Sequence, residues 1–501
     1  MRKFADQGTF YMSQPQTTTW KSQSGYVWSL IGSAVGFANI LSFSAQVYKN
    51  GGGAFLVPYI LAVFMLGVPM LMLEGLIGYT WKLPIVSAYN KVLGKKGKVL
   101  GWLSVVACLT IGAFYIVLTA YSAAYTYFAA SKQIPSDSKS FFFQEFLKTT
   151  ESIHQLGPLS FPVLIATVSM CLLTYLVMIR NVRDGIEKIC TLFMPLLAFI
   201  MTAFAITTMF LPGGLDALRH YLSPDFSRLN DPTLWRDVFG QLFFSLSLGL
   251  GIIVGYSRHT DQKTNIAQAM FWVTLGDFAV SFISGLAIFG CLAHISHIQK
   301  VPFEQILSSD STFEIGFILF PKILQSFGEH WAQIVGTIFF FCIFIAGITG
   351  VFSIAESIVG NVEKEFTLSR KKAVTVTMSA LLGMAVLFCF GNASHIIDAL
   401  APMVLGINML IGGIALIITF QYACPALRED AIWYNGSQAS FFSVSLRYVG
   451  PLLLTIILFS NLWHEFHTLD LSSCIRWLWF TIALIGSVLM AYQRKYQPTH
   501  A

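Results

Sequence analysis

Apolar residues fill the chain in blocks of about twenty, each closed by a short polar stretch, which is the period of membrane-crossing helices. The blocks run over 25–48, 53–80, 99–130, 161–179, 188–211, 237–257, 268–298, 331–361, 373–391, 395–422, 441–463 and 471–492. The alternating segments of about ten residues that mark a membrane β-barrel are missing. The pattern predicts an all-α polytopic membrane protein with 12 transmembrane helices.

Two blocks break the pattern in the same way. Span 1 contains GSAVGFAN (Gly32 to Asn39), and span 6 contains SLSLGLG (Ser245 to Gly251). Such clusters either let helices pack closely or let a helix unwind. Their recurrence five spans apart, where a second half repeats the first with opposite orientation, favours unwound segments in a 5+5 inverted repeat. Backbone freed in the middle of a membrane is tolerated where it lines a cavity and binds something polar. The expected division is a terminal segment 1–24, a first repeat 25–211, a second repeat 237–422, two further helices 441–492 and a tail 493–501.

Composition agrees with a membrane bundle. Apolar residues make up 55% of the 501 and charged residues 11%, too few for a water-facing surface. The first twenty residues are polar and lack the apolar core of a removable signal peptide. Cys108, Cys171, Cys190, Cys291, Cys342 and Cys389 lie inside apolar spans and read as packing residues. The net charge of +6 is assigned to loops facing anionic lipid, with no nucleic-acid partner. Lysines at 82, 91, 95, 96 and 98, then Arg180, Arg183 and Lys188, then Arg370, Lys371 and Lys372, mark three loops as cytoplasmic. Both termini fall on that side, as for a plasma (bacterial inner) membrane protein.

Polar groups inside the spans are the candidate chemistry. No acid or base interrupts span 1 or span 6, so an ion held there must meet carbonyls, hydroxyls and amides, the ligands of alkali cations. Asn39 and Ser245 offer side-chain oxygens. Asp277 is a carboxylate in span 7, for which a cation, a proton or a helix hydrogen bond must compensate. Glu74 in span 2 is placed to accept amides released by unwinding. His294 and His297 lack a third ligand for a metal, and no Ser/His/Asp or Cys/His set assembles, so no enzyme is expected.

GSAVGFANILSF, YKNGGGAFLVPYI and GVPMLMLEGLIG resemble the first two helices of the neurotransmitter:sodium symporter family, that of the bacterial leucine transporter. GQLFFSLSLGLG and FIAGITGVFSIAES extend the resemblance, which covers about residues 20–420. It implies sodium-coupled uptake by alternating access. By the same resemblance a first sodium site comprises the Ala34 carbonyl, Asn39, Ser245, Asp277 and the substrate carboxylate. A second uses carbonyls of Gly32, Val35 and Ala346 with the Thr349 hydroxyl, but Gly350 stands where relatives have another hydroxyl. Tyr59, Gln241, Ser245 and Ser281 match the chloride site of chloride-dependent relatives. Asp277 puts a fixed negative charge there, so chloride independence is expected.

The resemblance also implies the substrate site. Gly36 replaces the aspartate of monoamine carriers and points to an amino acid, whose carboxylate meets sodium, freed amides and the Tyr121 hydroxyl. Ala38 stands where relatives often have glycine, and carbonyls near Phe244 and Ser247 hold the ammonium. The side-chain pocket is read as Val117, Tyr121, Phe244, Ser247, Leu250, Gly350 and Ile354, fitting a neutral, hydrophobic amino acid. The gates depart from the family. Trp20 and Asp398 are kept, and Tyr121 with Phe244 forms a lid. Ser42 replaces an outer arginine, Thr17 an inner arginine, and Lys364 that arginine's aspartate partner. A proton-coupled carrier on the same fold, or a non-transporting sensor or substrate-gated channel, are the alternatives. A monomer or weak dimer is expected.

Overall fold

The computed structural model describes residues 19–135, 137–224, 226–306, 314–325, 329–424, 437–468 and 470–493. Membrane-length helices dominate. They are α1 in two pieces (Gln23–Ala34 and Ala38–Lys49), α2 (Gly53–Trp81), α3 (Ile85–Ala130), α4 (Phe161–Met178) and α5 (Arg183–Met209). The second half comprises α6 in two pieces (Pro232–Ser245 and Ile252–Ser257), α7 (Ile266–Gln299), α8 (Glu329–Phe366) and α9 (Arg370–Leu387). It continues with α10 (Ala393–Tyr422), α11 (Phe441–His467) and α12 (Leu471–Tyr492). Each coincides with one of the apolar blocks.

Both glycine- and serine-rich segments are broken. The first piece of α1 starts on Ser22, whose hydroxyl accepts the Gly25 N–H, and stops where Val35 turns extended (φ −73°, ψ 114°). The second piece resumes at Ala38, bent by 59°. The Asn39 side-chain oxygen accepts the Gly36 N–H at 2.9 Å, replacing a helical acceptor lost in the break. In α6 the helix stops at Ser245 and resumes at Ile252, with Ser247, Gly249 and Gly251 all at positive φ (52°, 80° and 72°).

The freed α6 backbone is satisfied by neighbours. Glu74 Oε1 accepts the Gly249 N–H at 2.8 Å, and Ser104 Oγ donates to the Gly249 carbonyl at 3.1 Å. The Glu74 reading from sequence is thus matched by its contact. Gly249 also lies so close to α10 that a Cβ on it would sit 2.5 Å from the Met409 carbonyl oxygen. No L side chain other than hydrogen fits both that φ and that gap.

Burial sorts the helices. α3 and α8 are enclosed along most of their membrane length, while α4, α5, α11 and α12 turn most of theirs outward. Phe199 and Leu489 are among the exposed large apolar residues there, as suits a surface solvated by lipid tails. At the foot of α3, Gly94 (φ 63°) breaks the helix and sets residues 85–93 at an angle to the membrane portion.

Candidate functional site

A cavity lies where the two breaks face each other, closed by α3, α8 and α10. Ala34, Ala38, Phe244, Ser247, Leu250, Gly350 and Ile354 line it, as the sequence suggested. No lining residue carries a formal charge. Val117 and Tyr121 do not line it, and this corrects the sequence reading. Ile111 and Tyr115 stand in their place. Both pairs are a β-branched aliphatic followed four residues later by tyrosine, so spacing cannot separate them. A slip of six residues turns a helix by about 240°, onto another face. Tyr121 instead packs its ring against Phe142, Phe146 and Phe317 at 5.6–6.2 Å.

Tyr115 reaches into the α1 break. Its hydroxyl accepts the Phe37 N–H at 3.3 Å. A Cβ on Gly36 would come within 2.0 Å of that oxygen, and one on Gly350 within 3.0 Å. Both glycines therefore make room for the phenol. Ser33, also on the wall, is 6% exposed and its hydroxyl has no hydrogen-bond partner. Ser33 and Ser353 escaped the sequence reading, because serine on an apolar helix face carries no signal until its partners are known.

Beside the cavity, Asn39, Ser245, Asp277 and Ser281 form one buried polar cluster. Asn39 Nδ2 donates to Asp277 Oδ1 at 2.6 Å and approaches Ser245 Oγ and Ser281 Oγ at 2.9 and 2.8 Å. Ser245 Oγ donates to the Asp277 carboxylate at 2.9 Å, and Ser281 Oγ to the Asp277 carbonyl at 2.9 Å. Among the described residues no cationic side chain pairs with Asp277, which is 1% exposed. Burying a lone carboxylate is costly unless a cation or proton joins it.

The remaining predicted positions are spread around this cluster. Gly32 packs on Cys190 and Met194, and Val35 is fully buried at the break. Thr349 Oγ1 donates to the Ile345 and Ala346 carbonyls at 3.0 and 3.1 Å, and the Ala346 oxygen lies 3.9 Å from the Cβ position of Gly36. Tyr59 is buried and stacked on Phe55. Gln241 donates to the Ala38 carbonyl at 2.8 Å and accepts from Ser42 Oγ at 3.0 Å, so it clasps the second piece of α1. Asp398 is exposed on α10.

The end of the bundle that carries Trp20 is held by contacts the sequence reading missed. Trp20 donates its indole N–H to the Tyr256 carbonyl at 3.0 Å and its backbone N–H to the His259 carbonyl at 3.1 Å. Below it, Glu356 receives Arg258 at 2.9 Å, Arg370 at 2.7 Å and His259 Nε2 at 3.1 Å. Glu363 adds contacts to both arginines at 3.3 and 3.7 Å. Burial first, then the Arg258 charge, pushes the His259 imidazole down to about 4. These residues form an ion cluster that joins the end of α6 to α8 and α9. Thr17 lies outside the described residues. Glu356 was visible as a carboxylate within an apolar span, the same signal that singled out Asp277. Among the described residues no group of His, Cys, Asp and Glu is set for a metal, His294 and His297 included.

Comparison with known proteins places this geometry. The sequence profile of the sodium:neurotransmitter symporter family matches residues 17–138 and 129–493. An uncharacterized sodium-dependent transporter of Methanocaldococcus jannaschii is 31% identical, over 89% of this chain and 91% of its own. A sodium-dependent dopamine transporter of Bos taurus is 26% identical, over 88% of this chain and 68% of its own. The crystal structure of MhsT in complex with L-phenylalanine superposes with a TM-score of 0.77 at 24% identity, covering 89% of this chain and 99% of that one. That likeness establishes the shared fold. The chain belongs to the sodium:neurotransmitter symporter family, as an integral membrane transporter of the sodium-dependent class and not an enzyme.

Proposed function

We propose that the chain carries a neutral, hydrophobic amino acid inward together with sodium, by alternating access. One observation carries this reading: a buried carboxylate with no cationic partner among the described residues lies next to a charge-free cavity, between two broken helices. The Ala34 carbonyl, Asn39, Ser245 and Asp277 hold the first sodium, completed by the substrate carboxylate. Turning the Asn39 amide by 180° brings its oxygen to the Asp277 side, a rotation the side chain allows at the cost of the Gly36 contact. Tyr115, in place of Tyr121, donates to the substrate carboxylate, and the unwound carbonyls of α6 take the ammonium.

Substrate and ion each complete the other's site, so their binding is mutually dependent. The second sodium uses the carbonyls of Gly32, Val35 and Ala346 and the Thr349 hydroxyl, with water in place of the oxygen that Gly350 lacks. Chloride is not required, because Asp277 supplies the negative charge. Residues 25–211 and 237–422 act as the two inverted repeats, and both termini face the cytoplasm.

Uptake into proteoliposomes tests the reading. Neutral amino acids should accumulate under an inward sodium gradient and stop accumulating when choline replaces sodium. Accumulation that follows a pH gradient without sodium would transfer the coupling to protons. Binding without accumulation would make the protein a sensor.

A further inference from the structure

A groove opens at the foot of the bundle, where the segment before Gly94, the end of α8 and the end of α12 meet. Lys91, Lys95, Lys98 and Lys364 line it, with Glu365 as its one acid among the described residues. Glu365 is already engaged: Lys98 pairs with it, and Ser87 Oγ donates to it at 2.7 Å. Lys91 lies over the Trp81 ring at 4.5 Å, which fixes the ammonium without neutralising it. The groove therefore keeps a surplus of positive charge, beside the amide of Asn90. Tyr492, half exposed at the end of α12, lies next to it in the chain, as aromatic residues do at the edge of a membrane.

Loop lysines that only orient a membrane protein need no shared cavity. These come from α3 and α8, far apart in sequence, and converge on one recess. We propose that this groove binds a phosphate ester, carried by an anionic phospholipid or by a small soluble phosphate. The ammonium groups take the phosphate charge and Asn90 a neighbouring hydroxyl or ester oxygen. The site joins the start of α3 to the last turn of α8, the helix that bears Thr349 and Glu356. Its occupant thus stabilises the arrangement in which those two elements are close. The inference does not depend on which amino acid or ion is transported.

The test uses the full chain in phosphatidylcholine nanodiscs and follows the thermal midpoint as phosphatidylglycerol is added. Glycerol 3-phosphate is titrated separately into the neutral nanodiscs. The parent protein should be stabilised saturably by at least one of the two. A response to the lipid alone identifies a headgroup, and an equal response to the soluble ester identifies a free ligand. The variant K91Q/K95Q/K364Q should need at least about tenfold more ligand, since each lysine at an anionic surface is worth about fivefold. K188Q/K371Q/K372Q removes the same charge from exposed positions away from the groove and should respond as the parent does. Equal losses in both variants, or no saturable response in the parent, would overturn the site.

Discussion

Asn39 Nδ2 stands 2.6 Å from Asp277 Oδ1, joining the break in α1 to the middle of α7 through two buried side chains. Asn39 reports on the unwound segment and Asp277 on the helix beside it. Whatever occupies their shared cluster is felt by both elements.

Asp277→Asn tests the charge of that cluster with little change of shape. The half-saturating sodium concentration should rise about tenfold or more, the equivalent of about 1.4 kcal/mol of lost attraction. Uptake should also become sensitive to replacing chloride with gluconate, which the parent should tolerate. Sodium titrations of uptake in both salts check each part.

Tyr115→Phe and Tyr121→Phe separate the two tyrosines. Losing the Tyr115 hydroxyl removes a donor to a charged ligand group, a bond worth about 1.5–3 kcal/mol. The substrate KM should rise about tenfold or more in Tyr115→Phe and stay within about twofold in Tyr121→Phe. Comparable KM effects from both would return Tyr121 to the site.

Glu356→Gln leaves Arg258 and Arg370 crowded around a neutral amide. Removing one partner from a buried ion cluster costs about 3–5 kcal/mol. Thermal unfolding in detergent should show the midpoint falling by several degrees. Restoring the charge at the same position with Asp should recover only part of it, because the shorter side chain cannot span both guanidinium groups.

His259 makes stability depend on pH. Its native imidazole titrates near 4 and an unfolded one near 6.5, so the unfolded chain binds the extra proton between those values. The stabilisation is full above about pH 6.5 and is lost as pH falls toward 4. His259→Gln should flatten the stability curve across that window, by up to about 3 kcal/mol at its acid end. Denaturation midpoints from pH 4 to 8 read this directly.

Gly249→Ala and Gly240→Ala compare a constrained glycine with a free one. At Gly249 the new methyl meets the Met409 carbonyl and a left-handed backbone, whereas at Gly240 nothing lies within 4 Å. Gly249→Ala should lose folded protein, scored by monodisperse yield. Gly240→Ala should be neutral or gain up to about 1 kcal/mol from helix propensity.

The spans and both helix breaks were legible because their signals are local: a run of apolar residues, or glycine and serine where leucine is expected. Asn39, Ser245 and Asp277 stood out because polar groups are rare in such runs. The α3 register was not legible. Ile111 with Tyr115 and Val117 with Tyr121 carry the same spacing, and only the face presented to the α1 break distinguishes them. The ion cluster around Glu356 was missed for a different reason. Arg258, His259 and Arg370 are dispersed along the chain and look like ordinary helix-end charges, and Glu356, a carboxylate within an apolar span, has partners that only the fold gathers.

The contact of Ser42 with Gln241 has an electrical consequence. It joins α1 to α6 with a neutral hydrogen bond, at the position where the resemblance implied an arginine. A formal charge moved across the whole membrane field exchanges about 2.3 kcal/mol with each 100 mV of potential. A hydroxyl and an amide exchange almost none. Making and breaking this contact is therefore nearly blind to voltage, which leaves the membrane potential to act on the ions being carried.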